Sequence, residues 1–165
     1  MADVYFVDTS ALSKRYIVET GSPWLQGILD PTTGCQAILV RTTMVEMIAA
    51  ITRRERGRSL TPGDAEVARA EFRTDLKDEY TVMEMSEALA NRAMLLAQVH
   101  GLRGYDAIQL SAAMEANVLR LMRGESPIIL LSSDAELNAA ATAEGLTVDN
   151  PNSHPERCSP PLLPQ

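Results

Sequence analysis

The chain has 165 residues, of which 45% are hydrophobic and 22% charged, the size and balance of one folded domain rather than of a disordered segment. A formal net charge of -7 with a pI near 4.8 excludes a protein that grips nucleic acid by bulk electrostatics, which needs a basic surface; an RNA or DNA substrate would require local Lys/Arg patches and metal ions, whereas a basic protein partner suits the acidity. Cys35 and Cys158 show no metal or disulfide spacing, no signal peptide opens the chain and no apolar run is long enough to span a bilayer, so a soluble cytoplasmic protein is expected.

Val4 to Val7, mostly β-branched or aromatic, reads as a buried strand. Asp8 follows at once, Thr9 and Ser10 are capping residues, and Ala11 to Ile17 has the apolar spacing of the helix they would cap. Ser22-Pro23 starts a short helix whose buried face would be Trp24, Leu25 and Ile28. Pro31 to Gly34 breaks the chain, and Ala37 to Val40 reads as a second strand. Arg41-Thr42-Thr43 then leads into a helix running through Met44, Ile48 and Ile51 to Gly57, with Glu46 on about its third residue, beside that apolar stripe. Thr61-Pro62-Gly63-Asp64 combines a capping hydroxyl, a first-turn proline and an acid three residues on. The helix it opens, to about Asp78, is heavily charged and is expected to lie outside.

Tyr80 to Met85 is a third strand, and Ser86-Glu87 opens a helix through Leu89, Met94, Leu95 and Val99 that stops at Gly101. The link Leu102 to Tyr105 leads into another helix, with Asp106 in its first turn and Ala107, Leu110, Ser111, Met114, Val118 and Leu121 at helical spacing. Pro127 to Leu131 is the most apolar strand; Ser132-Ser133-Asp134 precede a short helix from Ala135 to Glu144, and Leu146 to Val148 is a last strand. From Asn150-Pro151 on, Pro, Ser and Asn dominate. A domain over 1–150 and a mobile Pro-rich tail over 151–165 are therefore expected.

Strands alternate with helices throughout, the pattern of an α/β domain with a mostly parallel sheet of four to five strands. In such a sheet the strand-to-helix junctions gather on one edge. Asp8, Asp106 and Asp134 all stand at junctions, and Glu46 lies near the start of a helix that follows a strand. Four carboxylates at one rim repel and raise each other's pKa, so an ionised cluster needs cations. Hard oxygen ligands select Mg²⁺ or Mn²⁺; neither His100 nor His154 stands at a junction to build a zinc or iron centre. Helix N-termini at Asp8, Asp106 and Asp134 would favour the ionised forms by about 0.3–1 kcal/mol each. Carboxylate-bound divalent ions can activate a water against a phosphodiester, in keeping with a chain that shows no Ser-His-Asp or Cys-His arrangement. Taken singly, each acid also fits a plain role as a cap, a turn residue or solvated helix charge; their joint placement favours a site.

Val7-Asp8-Thr9-Ser10-Ala11-Leu12, followed by Glu19-Thr20-Gly21-Ser22, resembles the opening of PIN-domain ribonucleases, in particular the VapC-type toxins of bacterial toxin-antitoxin pairs. Thr43-Met44-Val45-Glu46 is similar to the family's second acidic motif and Tyr105-Asp106-Ala107-Ile108-Gln109-Leu110 to its third. Leu131-Ser132-Ser133-Asp134, with Leu137, Glu144-Gly145-Leu146 and Asn150-Pro151, resembles the fourth. The likeness runs over nearly all of residues 3–151. It implies a PIN-like three-layer α/β/α fold and a Mg²⁺- or Mn²⁺-dependent endoribonuclease, with Asp8, Glu46, Asp106 and Asp134 as catalytic and metal-binding acids. Ser132 would position a water or a substrate phosphate, and Ser10 would line the pocket.

The same resemblance implies a homodimer and a cognate antitoxin whose basic segment enters the acidic cleft. Gln109 departs from the His often found in the third motif and, not being an acid, is expected to leave metal binding undisturbed. For substrate contacts the candidates are Lys14, Arg15, Arg41, Arg53 and Arg54, near the first two acids in sequence, with solvated surface charge as the plain reading. Two other functions compete: a catalytically silent module of the same fold that binds RNA or protein, and an aspartate-dependent phosphotransfer domain. Ser10 argues against the latter, since it stands where dehalogenase-type phosphatases carry their second Asp.

Overall fold

A computed structural model describes residues 3–154. Strand β1 (Val4–Val7) is buried at every residue, and the other elements are layered around it. Its side chains alternate between two apolar clusters, Val4 and Phe6 in one and Tyr5 and Val7 in the other, as the two-residue period of a strand requires. Because both faces are covered, the strand is an unbroken apolar run.

After β1 come α1 (Thr9–Tyr16), α2 (Ser22–Ile28), β2 (Gln36–Val40), α3 (Arg41–Arg56), α4 (Pro62–Asp78), β3 (Tyr80–Met83), α5 (Glu87–His100), α6 (Gly104–Met122), β4 (Ile129–Leu131), α7 (Ala135–Ala143) and β5 (Thr147–Asp149). The five strands form one sheet in the order β3-β2-β1-β4-β5, every neighbouring pair parallel. Helices cover both faces. Leu12 of α1, Leu25 of α2, Met47 and Ile51 of α3 and Phe72 of α4 pack on one side; Leu89 of α5, Leu110 of α6 and Leu137 of α7 pack on the other. The fold is thus the expected three-layer α/β/α sandwich. The chain leaves β1 toward β2 on one side and returns later to β4 on the other, so the topological switch point lies between β1 and β4. In open parallel sheets the crevice beyond the strand ends at such a point is where ligands bind.

Several local expectations are corrected. Helix α3 begins at Arg41, so Glu46 stands a turn and a half in rather than on the third residue. Strand β3 ends at Met83 rather than Met85. Helix α4 lies outside but buries a narrow face of Ala65, Ala68 and Phe72. Met94, Leu95 and Val99 of α5 are 65%, 63% and 72% exposed, and Val118 and Leu121 of α6 are exposed as well; the core face of α5 is instead Leu89, Ala93 and Leu96.

The expected tail does not begin at Pro151. Pro151–Ser153 is a 3₁₀ turn with Pro151 buried, and His154 stacks on Trp24 with ring centroids 3.7 Å apart. Gly21, in the left-handed region at φ 84°, lies under this turn; a Cβ there would run into the Pro151 carbonyl, so the glycine is required by space as well as by backbone conformation. The remainder of the predicted tail, residues 155–165, lies outside the described residues. Among the described residues no helix is long and apolar enough to cross a membrane.

Candidate active site at the carboxyl end of the sheet

Asp8 is the first residue after β1 and the N-cap of α1, accepting the Ser10 N–H at 3.1 Å. The same oxygen, Oδ2, accepts the Ser10 hydroxyl at 2.5 Å and the Ser132 hydroxyl at 3.1 Å. Thr9 and Ser10 were expected to cap; Asp8 caps instead, and their hydroxyls serve the acids. Asp8 is 4% exposed. Burial pushes its pKa up, against the hydrogen bonds from Ser10, Ser132 and Thr9.

Asp134 is the N-cap of α7, with Oδ1 accepting the Leu137 N–H at 2.9 Å. Two serines stitch its loop to β1. Ser132, fully buried, donates to Asp8 and accepts the Asp134 N–H at 3.0 Å, while Ser10 Oγ accepts the Ser133 N–H at 2.9 Å. Ser132 therefore orients Asp8 and the Asp134 loop from beneath, and Ser10 lines the cleft.

Glu46 Oε2 accepts the Thr9 hydroxyl at 2.8 Å and the Gln109 side-chain amide at 3.0 Å. Burial raises its pKa and so does the charge of Asp8, while those two hydrogen bonds and Arg53 oppose the rise. Asp106, in the first turn of α6, has its pKa pushed up to about 6, first by burial and then by the charges of Asp134, Asp8 and Glu46, with Arg103 opposing. The expected help from helix N-termini does not keep Asp8 and Asp106 from being pushed up. A stabilisation of about 0.3–1 kcal/mol is outweighed by desolvation, and at Asp106 also by like-charge repulsion.

The four acids line one cleft of about 470 Å³, together with Arg53, Arg54 and Arg103. Of the predicted basic contacts, Arg53 and Arg54 reach it. Lys14 is buried against Glu19 at 3.4 Å. Arg15 pairs with Asp75 at 3.0 Å, donates to the Leu29 carbonyl at 2.6 Å and lines a different cavity. Arg41 pairs with Glu84 on the surface. Sequence reasoning missed Arg103, the N-cap residue of α6; its position three residues before Asp106, at the same helix start, was the available signal. It also missed Thr9, Thr43 and Gln109 as a polar group around Glu46.

The donor set suits a hard divalent ion in type, being carboxylate oxygen throughout. The second oxygens of Glu46 and Asp134 and both oxygens of Asp106 take no hydrogen bond among the described residues. The arrangement is not a closed coordination shell: among the described residues no three His, Cys, Asp or Glu side chains are grouped to hold a metal ion as they stand.

The chain is 32% identical over 149 residues to "Ribonuclease VapC45" and to "Ribonuclease VapC49", both of Mycobacterium tuberculosis, the matches covering 88% of this chain and 93% of each relative. No protein-family model matches. Among solved structures the fold is similar to PAE2754 from Pyrobaculum aerophilum, with a TM-score of 0.61, 20% identity and coverage of 93% of this chain and 87% of that one. It is likewise similar to FitAB bound to an IR36 DNA fragment, with a TM-score of 0.61, 17% identity and coverage of 93% and 98%. For VapBC2 from Rickettsia felis bound to a promoter DNA fragment, the TM-score is 0.59 at 12% identity, covering 89% and 98%.

Proposed function

The chain belongs to the VapC-type PIN-domain ribonuclease family, and from that premise we propose that it is the endoribonuclease toxin of a toxin-antitoxin pair, cutting RNA phosphodiester bonds with Mg²⁺ or Mn²⁺ at the cleft of Asp8, Glu46, Asp106 and Asp134. One observation carries this reading: Asp8, Glu46, Asp106 and Asp134 line one cleft, yet among the described residues none of the four acids is in a salt bridge with Lys or Arg. An acid cluster left without protein cations is poised for external ones.

When bound, such an ion supplies activation of a water and stabilisation of the leaving oxygen. The protein's own part is positional. Asp8, held by Ser10 and Ser132, and Glu46, held by Thr9 and Gln109, present fixed carboxylates, and Asp106 and Asp134 complete the donor set. Arg53 and Arg103 on the cleft wall offer charge to the backbone phosphates of RNA, the local basic contact that a chain of net charge -7 needs. No side-chain nucleophile is required.

The proposal includes a cognate antitoxin with a basic segment, a homodimer and a cytoplasmic setting. Similarity to FitAB and VapBC2 and the acidic balance support the first. The exposed Met94, Leu95 and Val99, close together on α5, support the second, since exposed clusters of large apolar residues mark interaction sites. A catalytically silent module is the second reading; among the described residues no three His, Cys, Asp or Glu side chains are grouped to hold a metal ion.

Purified protein is incubated with structured RNA in Mg²⁺, Mn²⁺ or EDTA, comparing wild type with Asp8→Asn and Asp106→Asn. Metal-dependent cleavage lost in both variants is expected. Cleavage that survives EDTA or either substitution overturns the proposal, and RNA binding with neither cleavage nor Mn²⁺ uptake by calorimetry establishes the silent module instead.

A further inference from the structure

Gln109 is fully buried on the third position after Asp106 in α6, so the two side chains share a helix face. Its amide nitrogen meets three oxygens: Thr9 Oγ1 at 3.3 Å, Thr43 Oγ1 at 3.0 Å and Glu46 Oε2 at 3.0 Å. Thr9 is on α1, directly after Asp8; Thr43 and Glu46 are on α3. One amide therefore ties together the three helices that carry Asp8, Glu46 and Asp106. The hydrogen bonding fixes the orientation of the group. An ionised Glu46 can only accept, and Thr9 spends its hydroxyl hydrogen on Glu46, so the two amide hydrogens of Gln109 go to Glu46 and Thr43, with the more distant Thr9 sharing one of them. Turning the amide over would set its carbonyl against the carboxylate.

This orientation leaves the Gln109 carbonyl oxygen buried with no partner among the described residues. An unpaired buried acceptor is unfavourable, and here it accompanies an amide committed to Glu46.

We propose that Gln109 is a positioning residue for Glu46: it pins Oε2 and leaves Oε1 as the oxygen available to a divalent ion. The proposal rests on reading the cleft as a nuclease site and departs from the expectation that Gln109 leaves metal binding undisturbed. An imidazole N–H at the same position can donate to the same oxygen, so His is the replacement that should conserve the role, whereas Leu fills similar space without a donor.

Two independent measurements test it. In uniformly ¹⁵N-labelled, metal-free wild type, the Gln109 side-chain amide signal should be protected from solvent exchange and should shift on Glu46→Ala; a signal that does not move overturns the proposal, whatever the protein does with metal or RNA. In calorimetry with MnCl₂ and RNA kinetics, Gln109→Leu should weaken Mn²⁺ binding about tenfold or more, the range seen when groups that orient metal ligands are removed. It should lower kcat with KM for RNA nearly unchanged, and Gln109→His should restore both. A folded Gln109→Leu protein that binds Mn²⁺ like wild type, or a Gln109→His protein as impaired as the Leu variant, overturns it. Should wild type itself take up no Mn²⁺, the nuclease reading falls, and the amide signal alone decides whether Gln109 holds Glu46.

Discussion

Glu19 and Asp106 are partly buried carboxylates in neighbouring parts of the same molecule, and the fold treats them in opposite ways. Glu19 receives Lys14 at 3.4 Å, Arg54 at 2.9 Å and the Ser13 hydroxyl at 3.2 Å; burial pushes its pKa up, but the Arg54 hydrogen bond and the two positive charges hold it below the ordinary carboxylate range. Asp75 also has partners within the protein, Arg15 at 3.0 Å and the Tyr16 hydroxyl at 2.9 Å. Asp106 receives no such partner, and its pKa is pushed up to about 6. Cations are not scarce at the cleft. Arg54 lies on its wall but is drawn to Glu19, and Arg53 and Arg103 stand close enough to act on Glu46 and Asp106 without pairing with them. The difference teaches that one fold can neutralise a carboxylate from within, as at Glu19, and leave others without a salt bridge at the cleft, as at Asp106.

Four experiments break or sharpen this contrast. If the proposed function holds, Asp8→Asn or Asp106→Asn should lower RNA cleavage about a hundredfold or more, the loss of several kcal/mol that removing one carboxylate from the proposed metal site entails; single-turnover kinetics measures it. On the paired side, Glu19→Ala strands the buried Lys14 and should destabilise the fold by about 3 kcal/mol in urea unfolding.

Smaller, and opposite in sign, Asp106→Asn should stabilise metal-free protein at pH 7.5, by about 1 kcal/mol once solvent screening of a half-exposed group is allowed for. The folded pKa is raised from 3.8 to about 6, so the folded state holds the proton more tightly. Its contribution to stability is complete below pH 3.8 and lost as pH rises through 6. The advantage of Asn should therefore vanish near pH 4, and thermal melts across this window test the sign. Glu19 should act the other way, its contribution present above the ordinary Glu pKa and lost as pH falls, since its folded pKa is lowered. The smallest effect belongs to Arg41→Ala, which breaks a solvent-exposed pair with Glu84 and should leave the melting temperature unresolved from wild type.

The sequence by itself determined the order of elements, the α/β class and the chemical type of the site. Apolar periodicity, capping residues and turn residues are local signals, and Val4 to Val7, Thr61-Pro62 and Ser86 each carried theirs within a few residues. The four acids were legible because a parallel sheet sends its strand-to-helix junctions to one edge.

Only the tertiary structure decided which neighbours those acids have. Adjacent residues of a helix point about 100° apart, so Ser13 lines the cleft while Lys14 beside it turns to Glu19 and Arg15 to Asp75. The bond from Gln109 to Glu46 spans 63 positions and the one from Ser132 to Asp8 spans 124. Contacts at that separation depend on strand register and helix rotation across the whole sandwich, which no local pattern encodes. The same reason hid the outward turn of Met94, Leu95 and Val99: periodicity says that a helix has an apolar stripe, but only packing against the sheet selects which residues the core takes.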